Sequence, residues 1–153
     1  MKKNKLTVAP FDDIHLIGIN STLVDYKLAY HFNNTLKFNF IRLDEIMLDN
    51  ALPYAFFYYN AGENYNAFNL VSMRNQEHVC VKLKPQIDFL LIVRNHITEE
   101  RLNQLVKSIR DLNGVTYAYL MDLSKLPVLD ALLEHIEMHE RKCLEILNQR
   151  KEP

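Results

Sequence analysis

Apolar and polar positions first alternate as a strand does, from Ile14 through Leu16 and Ile17 to Ile19. Asn20-Ser21-Thr22 then offers N-cap side chains, and Asp25 stands three residues after Thr22 in capping-box position. The spacing predicts a helix from about Leu23 to Leu36, with Val24, Leu28, Phe32 and Leu36 on one stripe. Phe38, Phe40 and Ile41 suggest a short extended piece, and Ile46 to Leu52 a connector. Tyr54 to Tyr59 is almost wholly aromatic and reads as a strand; the Asn60–Asn64 loop turns it back into a second strand, Tyr65 to Met73. After a turn at Arg74–Glu77, His78 to Leu83 alternates again until Lys84-Pro85 breaks it. Asp88 to Val93 is apolar on both faces, the pattern of a central strand covered on both sides.

Thr98 caps the next helix, with Ile97 and Leu102 at staple positions, and Leu102, Leu105, Val106, Ile109 and Leu112 form its buried face up to Asn113-Gly114. Val115 to Leu120 is a strand with Tyr117 and Tyr119 on one face, and Pro127 opens a helix that runs to about Gln149. The order β-α-β-β-β-β-α-β-α predicts an α+β fold: a two-layer sandwich of a mostly antiparallel sheet of about five to six strands, two packed helices and a long C-terminal helix. We read residues 1–153 as a single domain, with an N-terminal arm over 1–10, the C-terminal amphipathic helix over 127–149 and a tail over 150–153.

Composition narrows the chemistry. Lys and Arg total 18 against 19 Asp and Glu, for a formal net charge of −1, so no basic or acidic lobe points to nucleic acid or membrane. There are 3 glycines, Gly18, Gly62 and Gly114, too scattered for a Walker-type loop, a dinucleotide fingerprint or a nucleophile elbow. Two cysteines make no disulfide framework, and the N-terminus lacks the apolar run of a secretory signal. These features lead us to expect a cytoplasmic protein with reduced thiols.

The sharpest polar constellation is His135, His139 and Cys143, at i, i+4 and i+8 on the last helix. His135 and His139 share a face and could hold a metal ion, although eight helical residues span ~12 Å, too far for all three to reach one ion. A structural role explains more of the pattern, because Leu129, Leu132, Ile136, His139, Cys143 and Ile146 form a heptad stripe. His78 and Cys80 face one side of a strand, yet nothing nearby supplies an oxyanion hole. Asp12-Asp13 and Asp44-Glu45 are adjacent carboxylates of the kind usually found in loops and caps. Asp88 opens the most apolar strand and is expected to accept from backbone amides of the Lys84–Gln86 turn. Tyr54, Phe56, Phe57, Tyr58, Tyr59, Tyr65 and Phe68 could stack on single-stranded RNA, but residues 51–73 carry no Lys or Arg to hold phosphates.

Leu16-Ile17-Gly18-Ile19-Asn20-Ser21, Asp25-Tyr26-Lys27-Leu28-Ala29 and Arg42-Leu43-Asp44-Glu45 resemble the N-terminal half of the IPExxxVDY family of Bacteroidetes. Ile87-Asp88-Phe89 matches the final tripeptide of its signature conservatively. The first tripeptide falls on Val81-Lys82-Leu83, without its proline and glutamate, so the chain resembles a divergent member. The resemblance implies a small cytoplasmic bacterial protein and brings no catalytic assignment.

These readings favour a non-catalytic protein with no cofactor, acting by self-association or by binding an unidentified protein, with neither nucleic acid nor membrane as partner. The C-terminal helix is too broadly apolar for a single contact, which predicts a homodimer with Leu129, Leu132, Ile136, Cys143 and Leu147 in its interface. Glu134, Glu137, Glu140, Arg141 and Lys142 are expected on the solvated side of that helix.

Overall fold

The computed structural model of the chain describes residues 13–48, 52–62, 65–75, 78–79, 86–123 and 129–151. The elements are β1 (Ile14–Ser21), α1 (Asp25–Thr35), β2 (Ile41–Met47), β3 (Pro53–Asn60), β4 (Ala67–Ser72), β5 (Arg74–Asn75), β6 (His78–Val79), β7 (Phe89–Arg94), α2 (Glu99–Arg110), β8 (Val115–Leu120) and α3 (Leu129–Lys151). Six strands form one sheet in the order β2-β3-β4-β7-β1-β8, antiparallel at every pairing, and β5 with β6 makes a two-residue ladder beside it. The architecture is α+β with a long C-terminal helix, as the periodicity predicts.

Alternation along each strand sorts the apolar residues into two cores. Phe89, Leu91 and Val93 of β7 face Leu28 and Phe32 of α1 and Val106 and Ile109 of α2. Leu90 and Ile92 face the other way, onto Leu129, Leu132, Leu133 and Ile136 of α3. The consecutive aromatics of β3 divide in the same manner, Phe57 to the first core, Tyr54 and Phe56 to the second. The expected pair of layers, sheet and α1–α2, is present, and α3 on the opposite face adds a third. Both faces of the sheet are thereby drained of water, which is the main source of stability in a chain of this size.

Local signals that worked have visible partners. Thr98 Oγ1 accepts the Arg101 N–H at 3.2 Å, while Ile97 and Leu102 are both buried beside it. Other expectations are corrected. The α1 N-cap is Val24, with no side-chain cap bond, and Val24 is exposed rather than part of the buried stripe. Ser21 instead closes the preceding turn, its Oγ accepting from Leu23 N and donating to Gly114 O. The segment read as a short extended piece followed by a connector is the edge strand β2, paired with β3 across a register slip between Leu43 and Ile46. Arg74 and Asn75 lie in β5 rather than in a turn. Of the third strand expected over His78–Leu83, residues 80–83 lie outside the described residues, as do Lys84, Pro85 and Pro127.

Candidate functional site: the outer edge of β8

The sheet has two edges, and the sequence treats them differently. Edge strands expose unpaired N–H and C=O groups, and folded proteins blunt them with charges, bulges or covering side chains. β2 carries Arg42, Asp44 and Glu45 and has its register slip at mid-strand. It is also capped from α3: His135 Nε2–H donates to Met47 O and His139 Nε2–H to Asp44 O, each at 2.7 Å. A carbonyl only accepts, so each ring nitrogen must hold its proton there. The His139 ring stands edge-on to Phe56, centroids 5.0 Å apart. The helical spacing of four residues thus lets one face of α3 reach two carbonyls of one strand.

β8, Val-Thr-Tyr-Ala-Tyr-Leu, has no charged residue, and among the described residues no strand pairs with its outer side. Met121 N–H donates to Leu16 O at 2.9 Å on the β1 side. Bonding in an antiparallel pair alternates, so Tyr117 and Tyr119 also turn their main-chain groups toward β1. Ala118 and Leu120 turn theirs outward. One of those outward groups is occupied, since Ala118 O accepts from Arg110 Nε at 2.6 Å. The same guanidinium lies 5.9 Å from the Tyr117 ring centroid. A register slip at Asn20 and Ser21 interrupts the pairing near Thr116, so the regular edge begins at Tyr117.

The side chains around this edge are apolar and in part uncovered. Tyr117 is 54% and Leu120 43% exposed, whereas Ala118 is fully buried against α2. Tyr119 lies over Gly18, its register partner, where an added Cβ would stand 3.2 Å from the ring. Burial, with the Tyr117 phenol beside it, raises the Tyr119 pKa above the ordinary tyrosine value. Tyr117 and Tyr119 do share a face, their ring centroids 5.2 Å apart.

The other sequence candidates resolve into supports of the fold. Cys143 Sγ lies 3.5 Å from His139 Nε2, and burial pushes its thiol pKa up, away from a reactive thiolate. Native-state alkylation of Cys143 is therefore expected to run at least about tenfold slower than in urea; equal rates by peptide mapping would contradict its burial. No group of three or more His, Cys, Asp and Glu among the described residues could hold a metal ion. Leu129, Leu132, Ile136 and Cys143, expected in a dimer interface, are buried within the chain, the first three against its own sheet, and Leu147 is half-buried. That burial has a simple cause: the apolar stripe covers the sheet face that α1 and α2 leave bare. Glu140, expected in solvent, is buried, and Arg94 and Asn69 Nδ2 both donate to its Oε1. Cys80 lies outside the described residues, as does the side chain of His78.

A cleft of about 440 Å³ opens where β1 ends and α1 begins. Asp88 sits in its wall; Lys84 and Pro85 of the turn expected to supply its donors lie outside the described residues, and its described donors come from two other segments. Oδ2 accepts Ser21 N–H at 2.9 Å, and Oδ1 accepts Arg74 Nε and Nη2 at 2.9 and 2.8 Å. The carboxylate ties the ends of β1 and β7 to the start of β5. Asp88→Ala is expected to lower stability by about 1–3 kcal/mol, most of it from the stranded Ser21 amide rather than from half-exposed Arg74. An unchanged melting temperature would remove Asp88 from the structural framework. Among the hairpin aromatics, Tyr54, Phe56, Phe57 and Phe68 are buried, Tyr58 and Tyr59 half-buried and Tyr65 exposed.

No protein-family model, curated protein or solved structure matches this chain.

Proposed function

We propose that this protein is a non-catalytic interaction domain that docks an extended protein segment on the outer edge of β8. The observation that carries the reading is the contrast between the two sheet edges. β2 has charges, a mid-strand slip and two histidine caps; on β8 the slip lies at the start of the strand, Arg110 covers buried Ala118, and among the described residues no hydrogen bond takes the outward groups of half-exposed Leu120. Pairing a strand there satisfies the Leu120 groups, and Tyr117 and Leu120 supply side-chain contact on the two faces. The resemblance to a family without a catalytic assignment agrees with this reading. A cytoplasmic location goes with this reading, and the low cysteine count supports it. No helix of the described residues is long and apolar enough to cross a membrane. A metal site at His135 and His139 has less support, because both Nε2 atoms are engaged with β2 carbonyls. RNA stacking on the hairpin is weakened by the burial of four of its rings.

The test is a photoreactive phenylalanine analogue placed at Tyr117 in producing cells, with the same group at exposed Tyr65 as control. An adduct of defined mass at position 117, lost when Leu120→Lys is added, is expected. Equal cross-linking at 117 and 65, or adducts that ignore Leu120→Lys, would overturn the reading.

A further inference from the structure

We infer that the segment docked on β8 is the C-terminal end of a partner protein, its free carboxylate held by Arg110 and its last two side chains apolar. The inference rests on the edge-docking reading and adds which part of the partner docks, and in which direction. Capture of an extended terminus joins strand pairing to recognition of the terminal charge.

Arg110 decides where a docked strand stops. Its side chain leaves α2, donates Nε–H to Ala118 O at 2.6 Å and brings its guanidinium to 5.9 Å from the Tyr117 ring centroid. It thus crosses the outer edge at Ala118, which is itself fully buried, and a strand continuing past that point runs into it. Leu120 is different. Its N–H and C=O turn outward, and among the described residues nothing bonds them. A residue opposite Leu120 in an antiparallel pair takes both groups and asks nothing of Ala118. Ala118 stands two residues back, about 6.8 Å along the strand, so one more residue follows before the incoming chain reaches the guanidinium.

Charge selects which chain end arrives there. Run antiparallel to β8, the segment brings its terminal carboxylate to Arg110. Run parallel, it would set a terminal ammonium against a guanidinium. Arginine has five N–H donors and the Ala118 carbonyl takes one, which leaves Nη1 and Nη2 as a fork for both carboxylate oxygens. Among the described residues no carboxylate pairs with Arg110. Lys107 and Arg110 also outnumber Asp111 at that end of α2, and Asp122 lies at the opposite end, where the segment enters. Side chains alternate along a strand. The residue opposite Leu120 shares the face of that half-exposed leucine, and the last residue turns to the face of exposed Tyr117. Both neighbours are apolar, and so are the two side chains that fit them.

The probe is a library of random heptapeptides displayed with free C-termini. Peptides recovered on the full chain are resynthesised as acid and as C-terminal amide, and their binding is read by fluorescence anisotropy. Recovered sequences are expected to end in two apolar residues, with the amide binding about tenfold or more weaker than the acid. Arg110→Gln keeps a nitrogen donor where Nε stands, so Ala118 O keeps its bond. It is expected to hold the wild-type melting temperature, to weaken the acid about tenfold or more and to leave the amide unchanged. No recovered peptide, or acid binding indifferent to Arg110→Gln, would overturn the inference. Peptides bound equally as acid and amide, yet lost with Leu120→Lys, would overturn the terminus and leave edge docking standing. Edge docking itself is decided separately, by the cross-link at Tyr117.

Discussion

Glu140→Ala should be among the most destabilising single substitutions in α3, at about 3 kcal/mol, the lower end of what breaking a buried pair costs. Glu140 is 8% exposed and lies where α3 crosses the sheet. Its Oε1 accepts Asn69 Nδ2 at 2.6 Å and pairs with Arg94 at the end of β7. The variant leaves the Arg94 guanidinium and the buried Asn69 amide without that acceptor. Arg94 already has one buried Nε without a hydrogen-bond partner among the described residues, so it has little to fall back on. Its side chain is 22% exposed, and partial hydration keeps the cost from going higher. Urea unfolding measures the difference. The double variant Glu140→Leu with Arg94→Leu should recover most of the loss, because an apolar pair can replace an ionic one in a packed site. A single-variant loss under about 1 kcal/mol would mean that the pair does not anchor α3.

Gly114→Ala should cost about 2–4 kcal/mol, through two separable causes, backbone strain and overpacking. Gly114 has φ +93°, a conformation that an L side chain rarely adopts. A Cβ there would also stand 2.5 Å from Leu23 Cγ. The turn cannot easily move away, since Gly114 O accepts from Thr22 N and Ser21 Oγ at 3.0 and 2.8 Å. Combining Gly114→Ala with Leu23→Ala should relieve the overlap and keep the strain, so thermal unfolding of the pair separates the two. A Gly114→Ala protein as stable as wild type would contradict both.

What the sequence revealed follows from the range of the interactions involved. α2 announces itself through Thr98, Ile97 and Leu102, all within one turn, and the structure has each in its expected role. β7 is legible because two-faced burial leaves an unbroken apolar run. β2 is not legible, because its register slip breaks the alternation and its outer residues are polar, as an edge requires. Glu140 looks like its solvated neighbours Arg141 and Lys142; only the approach of β4 and β7, some 71 and 46 residues away, makes it a buried partner. The histidine pair was visible at once by spacing. Its carbonyl partners, 88 and 95 residues distant, were not. The candidate site shares that limitation. Val115–Leu120 reads as a strand in isolation, but its position at the sheet's edge depends on β1 pairing with both β7 and β8.

The alternation along β8 offers the most direct test of edge docking. Amide hydrogen exchange, read residue by residue by NMR, should be compared in the purified chain and in its Tyr117 cross-linked adduct. Tyr119 and Met121 amides, turned toward β1, should be protected in both. The Leu120 amide, turned outward, should exchange fast in the purified chain and slowly in the adduct. A Leu120 amide that exchanges at the same rate in both would contradict the account.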